Sequence, residues 1–269
     1  DTNNQVAIGQ SAMGAGTACG SMNIAIGCAS LKALTSGYRN VAVGRQAGQS
    51  LTTGFLNIAI GEGALSTTTD GNENIAIGKS AMGASADDAD GNVAIGKTAL
   101  GEGDVSGCYN VAVGLSAGKV LTSGSENVLI GRTSADALTT GACNIAIGLN
   151  AYGTAAAGAC NIALGVGALG GGLVTGVDNI AMGMNALNLA LGAHTNIVMG
   201  IGSAENMTIG IKNVAIGRFA MKGVTTAQAD QNIAIGECAL FGAAGTSGNA
   251  NIALGLNSMD ALTSGACNI

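Results

Sequence analysis

The sequence predicts an all-β fold, a parallel β-solenoid or β-roll with one coil per 17 to 19 residues. Three observations predict it. The motif Asn-Φ-Ala-Φ-Gly, with Φ apolar, recurs fifteen times, with Gln5 in place of Asn in the first copy, its Gly running from Gly9 to Gly255 at spacings of 17, 18 or 19. Variation in repeat length is confined to the stretch after that Gly and before the next Asn. The composition suits no ordinary globule: Gly is 46 of 269 residues, Pro and Trp are absent, and Tyr and Phe number three each. A conventional core draws much of its buried area from aromatic side chains. At 48% hydrophobic residues the chain is too apolar for intrinsic disorder, and without Pro or a Gly-X-Y period it is not collagen.

Each part of the repeat has a physical reason. Val or Ile follows the Asn in every copy, and a second apolar residue precedes the Gly, as in Ile24 and Ile26. Residues two apart share one face of a strand, and β-branched side chains suit its pleated surface. Gly permits a corner with positive φ or a close backbone approach. The third residue past the Gly is Ala or Ser throughout, for example Ala47 and Ser134. Leu-Thr-Ser-Gly or Leu-Thr-Thr-Gly follows in several copies, as at 34–37, 51–54 and 121–124, an apolar residue and then turn chemistry. The recurrent Asn is placed to bond its equivalent one coil along, since side-chain ladders stabilise stacked parallel strands. Two short strands per coil are expected, in a flattened roll. At about 4.8 Å per coil the whole array, 1–269, forms a single continuous rod about 70 Å long. The chain begins inside one motif copy and stops two residues into another, which reads as an excerpt of a longer protein.

If the Φ side chains face the interior, the residue between them faces out. It is Ala in thirteen of fifteen copies, the exceptions being Leu129 and Val198. A solvated face should carry polar residues at that position. Either small residues simply economise on an exposed surface, or Ala25, Ala42, Ala59, Ala76, Ala94 and Ala112 pack against another chain, as around a homotrimer axis. The second reading is preferred. The residue just after the Gly is charged in seven copies, but in four consecutive ones it is Leu149, Val166, Met184 and Ile201. So large an apolar stripe marks a lateral interface or bundling contact, or else a locally thicker core.

The string Asn-Φ-Ala-Φ-Gly-x-x-Ala, repeated over the whole chain, resembles the head repeats of trimeric autotransporter adhesins of the YadA-like kind. It also resembles repeat arrays of phage tail fibres. That resemblance implies a left-handed β-roll, a homotrimer, an extracellular, cell-surface or virion location, and an adhesive or structural role. The coils here are longer than in the adhesin heads and carry the added Leu-Thr-Ser/Thr-Gly turn. No coiled-coil stalk heptads, membrane-anchor barrel, tail-fibre tip or chaperone domain is present in this sequence.

Chemistry is sparse. His194 is the single histidine, so it reads as a turn residue rather than part of a triad or a multi-histidine metal site. Gly170-Gly171-Gly172 has no following Lys and is a slack turn, not a phosphate loop. Asp87, Asp88 and Asp90 form the densest acidic group and read as a solvated turn rather than a calcium site. No cofactor is expected. Among seven cysteines there is no CxxC pair. Cys143 and Cys160 precede the motif Asn in consecutive coils, which places them within disulfide range; the other reading is that Cys replaces Ala or Ser as a small buried residue. Asn206-Met207-Thr208 is the one N-glycosylation sequon considered. A net charge of −6 and no basic stripe argue against nucleic acid. The long uncharged stretch 137–177 is broken by Gly, Asn and Thr and does not read as a membrane span. The expected function is a non-enzymatic structural fibre, with self-association as its main contact. The alternative is a module that binds a receptor or glycan through its variable turns.

Overall fold

A computed structural model describes residues 4–14, 20–85, 89–172, 174–224, 229–242, 248–262 and 264–269. Asp87 and Asp88 lie outside the described residues. The chain forms two compact units, Asp1–Thr140 and Gly141–Ile269. Each is a stack of parallel coils.

The first unit carries eight strands of three residues, from β1 (Val6–Ile8) to β8 (Val128–Ile130), paired in sequence order and all parallel. The second carries seven, from β9 (Ile145–Ile147) to β15 (Ile252–Leu254), paired in the same way. Register follows the motif: Ile24 lies over Val41, Ala25 over Ala42 and Ile26 over Val43. It holds where the repeat lengthens to 19 residues, with Val214 over Ile233 and Ile233 over Ile252. Extra residues are therefore absorbed on the turn side.

The strands face the opposite way from the expectation. From the second strand onward the middle residue is buried in every strand, and its two apolar neighbours are half-buried or exposed. Ala25, Ala42, Ala59, Ala76, Ala94 and Ala112 are at most 2% exposed within their own chain, so they do not form a chain-chain surface. The reason is volume. The far wall of the coil contributes Leu31, Leu34, Leu51, Leu65, Leu100 and Leu121, all buried. Little more than a methyl fits between those side chains and the strand. A Cβ built on Gly48 would come within 3.9 Å of the Ala42 Cβ, and one on Gly118 within 4.0 Å of the Ala112 Cβ. The fourth residue past the motif Gly therefore stands across the core from the middle Ala.

That far wall is not a second strand, as the repeat had suggested. Coils remain hydrogen-bonded along it: Leu31 N–H donates to Ala47 O at 3.0 Å, and Gly48 N–H to Ala64 O at 2.9 Å. However, the second and fourth residues past the Gly are left-handed, as at Gln46 (φ 59), Leu65 (φ 50), Ser80 (φ 53) and Met82 (φ 47). A third left-handed residue precedes each Asn, including Arg39 (φ 57) and Glu73 (φ 58). Such residues turn the chain too often for extended pairing and each costs about 1–2 kcal/mol. The motif Gly supplies a fourth bend. At Gly78 φ is 131°, and an added Cβ would lie 2.6 Å from Gly96 O. Both the dihedral and the close stacking require the missing side chain.

The motif Asn forms the ladder that its recurrence predicts. Asn57 Nδ2 donates to Asn40 Oδ1 at 3.1 Å and to Gly71 O at 2.7 Å. Its Oδ1 accepts from Asn74 N–H at 3.0 Å and from Asn74 Nδ2 at 3.2 Å. The same arrangement recurs through Asn196, Asn213, Asn232 and Asn251 in the second unit. These side chains are buried. No buried side-chain nitrogen or oxygen among the described residues lacks a hydrogen-bond partner, as a buried polar column requires.

Candidate functional site: an outward aliphatic face

Because Ala turns inward, the paired Val and Ile columns turn outward. They line the outer face of the strand wall in both units. Ile26, Ile60, Ile95 and Ile130 are exposed in the first unit, and Ile147, Ile197, Ile235 and Leu254 in the second. β-Branched and aliphatic side chains usually enter strands to be covered, yet no described residue of either unit buries them.

The column after the motif Gly lies beside this face and differs between the units. In the first it is charged at Arg45, Glu62, Lys79, Lys97 and Arg132, where Arg45 pairs with Glu62, and Lys79 reaches the same carboxylate at 3.6 Å from the next coil. The Arg45 guanidinium, hydrogen-bonded to Glu62, holds that carboxyl below its ordinary pKa, with Lys79 assisting. In the second unit the column is apolar over four coils, then returns to charge at Arg218 and Glu237, paired at 3.0 Å. Leu149, Val166, Met184 and Ile201 are 37%, 47%, 48% and 46% exposed. They stand on the surface and do not thicken the core. With Ile145, Ile147, Ile162, Leu164, Ile180, Met182, Ile197 and Met199 they make three aliphatic columns without a charge among them.

Other predicted residues take separate places. Cys143 and Cys160 are exposed and stand as thiols one coil apart, not as small buried residues. Asn206 is half-buried on the turn side next to buried Met207. His194 Nδ1 accepts from Val177 N–H at 3.2 Å, bracing one coil to the next. Asp90 is half-buried, and its Oδ1 accepts from Asn72 N–H at 2.7 Å.

The structure also shows features that the motif analysis missed. Tyr38 and Phe55 stack with centroids 4.9 Å apart and planes 3° from parallel, on consecutive coils. Leu189, Leu191, Ile209 and Ile211 are exposed on the turn side of two consecutive coils. Their signal lay in the alternation Leu-Asn-Leu-Ala-Leu and Ile-Gly-Ile, which interrupts turn chemistry. Tyr152 is fully buried, its hydroxyl accepting from Asn161 Nδ2 at 2.9 Å, and burial pushes the phenol pKa far up.

Among the described residues no three His, Cys, Asp or Glu side chains gather as metal ligands. A hollow at the last strand, lined by Ile252, Leu254, Met259 and Ile269, contains no titratable group. No helix among the described residues is long and apolar enough to cross a membrane. What the surface offers chemically is contact area. Comparison with protein-family profiles, with curated proteins and with solved structures gave no match.

Proposed function

We propose that this chain is a non-enzymatic structural module of an extracellular or virion fibre, and that copies of it associate, as a homotrimer or bundle, through the outward aliphatic face. One observation carries the reading: Val and Ile columns that no described residue of the surrounding unit buries. Between Ile145 and Ile201, Ile147, Leu149, Val166, Met184, Ile197 and Ile201 are 37–48% exposed side by side, and a contiguous apolar patch of this kind marks an interaction surface. The stacked, mutually hydrogen-bonded coils beneath give such a contact a stiff backing. The adhesive part of the role, like the location, rests on the resemblance of the repeat to adhesin heads and tail fibres.

The test is the mass of the native protein by sedimentation at micromolar concentration. Trimers or higher bundles are expected. The double substitution V166K/M184K places two charges on exposed positions, so the circular dichroism should stay unchanged while the mass falls towards the monomer. A monomeric parent protein would overturn the proposal.

The stacked Tyr38 and Phe55 rings favour a second reading for the turn side, with Arg39 6.0 Å from the Tyr38 centroid. A planar apolar edge beside a cation is a place where a receptor or glycan would dock.

A further inference from the structure

Cys143 and Cys160 occupy the same place in consecutive coils, each immediately before a ladder Asn. Both thiols are exposed. Both residues are left-handed, with φ 58° and 57°. The coils are pinned on either side of them. Cys160 N–H donates to Ala142 O at 3.0 Å, Asn161 N–H donates to Asn144 Oδ1 at 3.0 Å, and Ile162 pairs with Ile145. Parallel neighbours lie about 4.8 Å apart, which places the two Cα atoms inside the roughly 4.4–6.8 Å range that a disulfide spans. The other described cysteines have no such neighbour: one coil from Cys28 stand Gln10 and Arg45, and one coil before Cys267 stands Ala250.

We propose that Cys143 and Cys160 are a redox-active pair that closes a cross-coil disulfide when it meets a low-molecular-weight disulfide such as oxidised glutathione. One protein thiolate attacks a sulfur of the reagent, forms a mixed disulfide and releases the first small thiol. The second protein thiolate then attacks the protein sulfur of that mixed disulfide and releases the second small thiol. Two protein thiols thus lose two electrons and two protons, and the reagent gains both as two thiols. The new bond closes the loop through Tyr152 and ties one complete coil to the next.

The native chain is incubated with oxidised glutathione, its remaining thiols are alkylated, and the denatured protein is cleaved with chymotrypsin. That enzyme cuts after Tyr152, between the two cysteines, where there is no Lys or Arg for trypsin. The expected product is one pair of peptides joined through Cys143 and Cys160, two hydrogens lighter than the reduced pair and free of glutathione. In a C160S variant Cys143 should carry glutathione instead. Separate glutathione adducts on both cysteines of the parent chain would overturn the proposal. So would alkylation of both at an oxidant level that has already converted Cys267.

Discussion

Among the polar residues that hold the coils together, two columns differ in character. The Asn column is chemically uniform: each amide donates to the amide of the coil before it and to a carbonyl of the coil after it, and accepts twice from the latter. Asn57→Ala would orphan Gly71 O and the Asn74 donors at a cost of roughly 1–3 kcal/mol for each buried group, so urea denaturation should show a loss of about 3 kcal/mol or more. Asn57→Asp removes both donors and buries a carboxylate in their place, raising its folded pKa above the unfolded value. The folded form of that variant then holds its proton more tightly, so its stability should recover as pH falls from 7 towards 5. Recovery absent from a urea series at the two pH values would contradict this. The second column stands two residues before the Asn. Its members are Asn72, Asp90, Ser125, His194, Asp230 and Asn249, each accepting a backbone N–H from the preceding coil. The first column was legible because one residue type repeats. The second was not, because its members share only an acceptor atom. The lone histidine is one rung of it.

At the scale of the coil, the repeat period was legible and the facing of the strand was not. Alternation of Φ, Ala and Φ has the same period whichever side is inside, so period alone cannot orient it. Volume does, and volume depends on the Leu residues of the far wall. Leu129 tests the principle, since it replaces the inward Ala with a larger side chain. Room for it comes from Gly118, where an added Cβ would lie 2.6 Å from Leu129 Cδ1 and 2.8 Å from Leu100 Cδ2. Gly118→Ala should destabilise by about 1–3 kcal/mol through overpacking, and Leu129→Ala by about 2–5 kcal/mol through the cavity it leaves. Together they should cost less than the sum, because the second removes the atom that the first strikes. A double-mutant cycle in urea measures that coupling, and strict additivity would contradict the pairing. Part of the Gly118→Ala cost should persist in the double variant, because φ is +57° there whatever its neighbour.

For the molecule as a whole, each unit pairs a saturated interior with an unsaturated exterior. Inside, hydrogen bonds and side-chain volumes are matched from coil to coil. Outside, one wall presents aliphatic columns, and some of the charges stand in stacked pairs, among them Arg45–Glu62 and Arg218–Glu237. Exposed pairs of that kind add little stability, so association should take its strength from apolar area. Sulfate salts should then tighten it and cooling should weaken it, while sodium chloride near physiological strength should change it little. Sedimentation across a temperature and salt series measures this, and dissociation by moderate sodium chloride would point to ion pairing instead. The sequence marked the apolar stripe at Leu149, Val166, Met184 and Ile201, and these residues are exposed. It could not show that the neighbouring Val and Ile columns join it on the surface, because that follows from the facing of the strand.

The Asn ladder has a further consequence. Within each unit the ladder amides are oriented alike, each carbonyl oxygen facing the higher-numbered coil and one N–H facing the lower. Their dipoles therefore sum head to tail, as peptide dipoles do in a helix, and each amide polarises the next. The ladder is accordingly electrically directional within each stack, with partial positive charge towards its first coil and partial negative charge towards its last.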